Sequence, residues 1–156
     1  VVVLSGRPTF IFHEERWQPH VLKALQANEF SMPAGECHGA VVFADALLAL
    51  LHSVTHLVVF TDSDATAKGL LTAGSGAPQL NEQLVWLFER HPGVQFLGVH
   101  QPGIRNKAAD ALSRSAEGRQ WVLDQVEEAG LDTHEIALSP DAPVMLAAAM
   151  ACPLRD

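Results

Sequence analysis

Residues 57–64 read Leu57-Val58-Val59-Phe60-Thr61-Asp62-Ser63-Asp64, an apolar run that ends in a polar cluster with two carboxylates. A short β-branched and aromatic run bounded by turn formers predicts a strand buried on both faces, as in parallel sheets. In open α/β sheets, ligands gather beyond the carboxyl ends of such strands, so Asp62 stands where chemistry is normally presented. Thr61 and Ser63 can hydrogen-bond locally and turn the chain. A plainer role competes: Asp62 or Asp64 can simply N-cap the following helix, expected over 65–71.

Working outward, that helix stops at Thr72-Ala73-Gly74-Ser75-Gly76-Ala77-Pro78. This glycine-rich loop joins two helices, not a strand to a helix, which excludes a phosphate-binding loop for nucleoside triphosphates. A helix over 81–89, with Leu80, Leu84, Leu87 and Phe88 apolar, ends at His91-Pro92-Gly93. Residues 94–99 form a second buried strand, expected parallel to the first. After the turn 100–103, a helix over 106–114 has Asn106 as its cap and Asp110 one turn inside. Upstream, Met32-Pro33-Ala34-Gly35 breaks the chain, and 36–52 has helical apolar spacing, with Glu36 in the first turn.

Residues 1–4 and 9–12 read as an antiparallel hairpin across Ser5-Gly6-Arg7-Pro8. A short helix fits 19–30, and Trp17 reads as a packing anchor. Residues 118–129 fit an amphipathic helix. An extended tail with an apolar stretch at 144–150 completes the chain. Strands and helices alternate after the hairpin, which predicts an α/β fold: a mixed β-sheet with helices on both faces.

The chain has 156 residues and is 48% hydrophobic, enough for one domain with a core. Its two cysteines, Cys37 and Cys152, make no disulfide framework, which points to a reducing intracellular compartment, cytoplasm or nucleus. No run approaches the roughly 18 apolar residues of a membrane span, so no membrane partner is expected. A net charge of −8 argues against a protein that coats nucleic acid non-specifically. Basic residues nevertheless gather at Arg105, Lys107, Arg114 and Arg119. His52 and His56, four apart, and the pair Cys37-His38 each lack a third ligand nearby and make poor metal sites.

Three acids occupy corresponding places: Glu36 early in a helix, Asp62 at a strand end and Asp110 in a later helix. Clustered carboxylates repel one another unless a cation intervenes, and magnesium or manganese suits an all-oxygen site. Two such ions about 4 Å apart can activate a water and stabilise a leaving oxygen in phosphodiester cleavage.

The stretch His100-Gln101-Pro102-Gly103-Ile104-Arg105-Asn106-Lys107-Ala108-Ala109-Asp110-Ala111-Leu112-Ser113-Arg114 resembles the pattern His-x-Pro-Gly-x-x-Asn-x-x-Ala-Asp-x-Leu-Ser-Arg of retrotransposon ribonuclease H domains. Thr61-Asp62-Ser63 after an apolar strand is similar to the corresponding element of ribonuclease H domains attached to reverse transcriptases. Leu80-Asn81 and its helix resemble the segment before the fifth strand, especially in tyrosine-recombinase retrotransposons. Long-terminal-repeat elements are the other close comparison. The resemblance covers residues 1–114. It implies a ribonuclease H-like domain over 1–116, followed at 117–156 by a C-terminal helix and tail of unassigned role.

By the same resemblance, Glu36, Asp62 and Asp110 correspond to three of the family's four metal-binding carboxylates, with Mg2+ (or Mn2+) as cofactor. Asp64 matches no catalytic position and reads as a helix cap. Arg105, Lys107 and Arg114 are candidate substrate contacts by charge, with a solvated helix face as the equal alternative. The implied activity is endonucleolytic hydrolysis of the RNA strand of an RNA–DNA hybrid, with an upstream reverse transcriptase domain of the same polyprotein as neighbour. The family's first aspartate sits on a first strand, whereas residues 1–4 match the second. The Val-Val-Val start reads as a fragment, so this chain alone is expected to cleave weakly or not at all. The alternative is a catalytically incomplete module with a structural or partner-binding role, its C-terminal tail docking on a protein partner.

Overall fold

The computed structural model describes residues 2–3, 8–13, 16–105 and 107–154. In chain order these form β1 (Val2–Val3), β2 (Pro8–Phe12), α1 (Pro19–Gln26), α2 (Met32–Leu50), β3 (His56–Thr61) and α3 (Asp64–Thr72). There follow α4 (Pro78–Arg90), β4 (Gln95–His100), a 3₁₀ turn (Gly103–Arg105), α5 (Lys107–Arg114), α6 (Ala116–Glu128), β5 (Asp132–Glu135) and α7 (Ala142–Ala151). The protein is a mixed α/β chain. It divides into two compact units, one of Val1–Arg16 with Pro102–Ala137, the other of Trp17–Gln101 with Leu138–Asp156.

The larger unit is built on α2. Ser31 caps it, its Oγ accepting from the Ala34 N–H at 3.3 Å, and Pro33 lies in the first turn. A proline there forfeits no intrahelical hydrogen bond, so Met32-Pro33 opens the helix instead of breaking the chain before it. The expected start at 36 is therefore corrected to Met32, which moves Glu36 from the first turn to the second. Val41, Val42, Ala44 and Leu48 of α2 share a core with Leu80, Leu84 and Leu87 of α4 and with Met145, Leu146 and Ala149 of α7. Full burial of each large apolar side chain contributes about 1.5–3 kcal/mol. Met145, Leu146 and Ala149 of the apolar stretch at 144–150 thus belong to this core, while Val144 is exposed, and Trp17 packs against the core as an anchor.

Two buried glutamines tie the helices together. Gln79 donates to the Glu29 carbonyl at 2.7 Å and the Cys152 carbonyl at 3.1 Å, and accepts from the Ser31 N–H at 2.9 Å. Gln83 donates to the Ala34 carbonyl at 2.9 Å. One side chain of α4 therefore joins the entry to α2 with the end of α7.

β3 and β4 run parallel, as expected, in register from His56 opposite Gln95 to Thr61 opposite His100. Leu57, Val59 and Phe96 turn toward the helical core. Gly98 lies so close to α3 that a Cβ there would collide with the Ala67 carbonyl. The alternate residues Val58, Phe60 and Leu97 are exposed, at 47%, 58% and 47%. The expectation of burial on both faces is corrected: among the described residues of this unit, helices pack on one face of the pair only. These are its only two strands among the described residues.

In the smaller unit β1 pairs antiparallel with β2, Val2 opposite Thr9 and Val3 opposite Pro8, as the hairpin reading expects. β5, from the unassigned tail, adds to the other side of β2 in parallel, Thr9 opposite Asp132 through Phe12 opposite Glu135. Ser115 caps α6 by accepting from the Gly118 N–H at 3.1 Å. Arg119 holds α6 to this sheet, its guanidinium 5.5 Å from the Phe12 ring centre and 3.2 Å from a Glu135 oxygen. No helix is long and apolar enough to cross a membrane among the described residues.

Candidate functional site

Thr61, Asp62 and Ser63 occupy the carboxyl end of β3, and local hydrogen bonds set their directions. The buried Thr61 accepts, through Oγ1, from the Ser63 N–H at 3.1 Å. The buried Ser63 caps α3, its Oγ accepting from the Thr66 N–H at 3.4 Å. The two hydroxyls thus shape the turn, and Asp62 between them stays exposed. The capping role expected of Asp64 is corrected to Ser63. Asp64 is the first helical residue, where its charge meets the positive end of the helix dipole. A serine earns the cap because its short side chain folds back onto the first free N–H groups.

Glu36 is likewise exposed, in the second turn of α2. Its neighbour Cys37 is buried, and burial pushes the Cys37 thiol up to about 12 against the opposing effect of the Thr66 hydroxyl it faces. A thiol with so little thiolate at neutral pH is neither nucleophile nor ready metal ligand. His100 lies directly across from Thr61 at the end of β4, also exposed.

Asp110 sits in the first turn of α5, exposed, with Arg105 in the preceding 3₁₀ turn and Lys107 at the helix start. These belong to the smaller unit, whereas Glu36 and Asp62 belong to the larger. Asn106, the expected cap of α5, and the Arg114 side chain lie outside the described residues. Among the described residues, no three His, Cys, Asp or Glu side chains are gathered in a group that could hold a metal ion. The donor chemistry of Glu36 and Asp62, exposed carboxylates with no nitrogen or sulfur ligand required, fits a hard divalent cation. His52 falls in the turn after α2 and His56 begins β3, so the two do not share a helical face.

The chain matches no known family, no curated protein and no solved structure.

One polar cluster escaped the sequence reading. Asp45, among the mostly apolar buried residues of α2, is 1% exposed. Its Oδ1 accepts from Arg90 Nε at 2.8 Å and lies 2.8 Å from His91 Nε2. The Asp45 carboxylate holds the Arg90 guanidinium above its ordinary range, burial opposing. Arg90 also donates to Asp141 at 3.0 Å and to the Ser139 hydroxyl at 3.4 Å, and stacks on Trp86 at 4.6 Å. A lone carboxylate among alanines and leucines is the sequence signal for such a cluster, because a charge seldom enters a core without a partner.

Proposed function

We propose that this chain is a ribonuclease H-like domain of a retroelement polyprotein that hydrolyses the RNA strand of an RNA–DNA hybrid. The observation that carries the proposal is Asp62: an exposed carboxylate at the carboxyl end of a parallel strand, held between two hydroxyls that are both spent on the turn. The stretch resembling the family's last motif supports it, since His100 ends β4 and Asp110 lies in the first turn of α5.

In this reading Glu36 and Asp62 would offer carboxylate ligands to Mg2+ or Mn2+, and Asp110 would be a third by the family resemblance. The ions, when bound, supply charge stabilisation and an activated water at the scissile phosphate. The chain's own part is to fix the carboxylate: Ser63 and Thr61 lock the backbone on either side of Asp62. Arg105 and Lys107 would meet the phosphate backbone, and contacts to 2′-hydroxyls would select the RNA strand. The upstream neighbour would be the reverse transcriptase domain of the same polyprotein.

The test is a labelled RNA–DNA hybrid incubated with magnesium and either the 156-residue chain or a parent protein extended to include the family's first strand and aspartate. The extended protein should cut the RNA strand, and the short chain should cut weakly or not at all. Folded extended protein that leaves the hybrid intact would overturn the enzyme reading. The structural alternative then gains, and one observation favours it: the apolar, uncharged face of Val58, Phe60 and Leu97 is suited to a protein partner.

A further inference from the structure

We draw no further inference here: the strongest candidate, the exposed apolar face of the β3–β4 pair formed by Val58, Phe60 and Leu97, is an unpartnered sheet face, and nothing in the structure shows what covers it.

Discussion

Asp45 and Asp62 are both aspartates of the larger unit, and they have opposite surroundings. Asp45 is sealed in the helical core and shared by Arg90 and His91. Asp62 projects from a strand end whose neighbouring hydroxyls are turned away to the backbone. The first arrangement has spent its charge on holding α2, α4 and the start of α7 together. The second leaves its charge facing solvent. A carboxylate's use is thus decided by whether the fold supplies its counter-charge, and substitution at the two positions should fail in different currencies.

The largest effect is expected at Asp45. Removing one partner of a buried pair typically costs about 3–5 kcal/mol, because the other charge is left uncompensated. Arg90 is 37% exposed and keeps Asp141, so water can rescue part of the loss. Asp45→Ala should therefore cost about 3 kcal/mol in urea unfolding. Asp141→Ala, which breaks the exposed half of the same cluster, should cost no more than about 1 kcal/mol. Equal losses from the two variants would show that Asp45 is not the buried centre of the network.

Gly98→Ala comes next, and it probes the scaffold behind Asp62 rather than the carboxylate. The added methyl would collide with the Ala67 carbonyl, which is backbone and cannot rotate aside. Overpacking usually costs about 1–3 kcal/mol, and a rigid obstacle places this variant near about 3 kcal/mol. Gly93→Ala, where a Cβ meets nothing within 4 Å, is the control and should be nearly silent. A Gly98→Ala protein as stable as its parent would mean that α3 can slide over β4, loosening the support behind the proposed site.

Why some of this was legible in the sequence and some was not follows from how far each signal reaches. The β3 and β4 strands show in the local runs Leu57-Val58-Val59-Phe60 and Phe96-Leu97-Gly98-Val99, and their parallel pairing follows from the two helices between them. The Ser31 start of α2 was hidden by reading Met32-Pro33 as a break, although proline is harmless in a first turn. Ser63 lost the cap to Asp64 in the sequence reading because both residue types cap, and only the actual hydrogen bond decides. The bond between Asp45 and Arg90 crosses 45 residues, and no local pattern encodes such a partner. The pairing of β5 with β2 is of the same kind: Asp132-Thr133-His134-Glu135 has neither alternation nor an apolar run.

Asp62→Asn is expected to leave stability within about 0.5 kcal/mol of the parent, since the side chain is exposed and the substitution keeps its shape. Its effect should appear in catalysis. Loss of a metal-tuning group commonly lowers affinity or activity by about 10–100-fold, and a direct ligand belongs at the upper end. In the extended protein, hybrid cleavage with magnesium should fall about a hundred-fold or more. That would invert the behaviour of Asp45→Ala, which loses stability first. Undiminished cleavage by Asp62→Asn would remove Asp62 from the proposed site.

The smallest effects separate the two residues that follow Asp62. Ser63 accepts from the Thr66 N–H, so Ser63→Ala leaves one of the free amide groups at the start of α3 without its partner. That loss should cost about 1 kcal/mol, and Ser63→Asn should recover most of it by capping in the same way. Asp64 makes no cap and acts only through its charge at the positive end of α3. Asp64→Ala should cost about 0.3–1 kcal/mol in low salt and progressively less as salt screens the dipole. Urea unfolding of the three variants at two ionic strengths distinguishes the roles. Should Asp64→Ala prove the costlier change and remain so in high salt, the cap would belong to Asp64 and the turn that presents Asp62 would have to be redrawn.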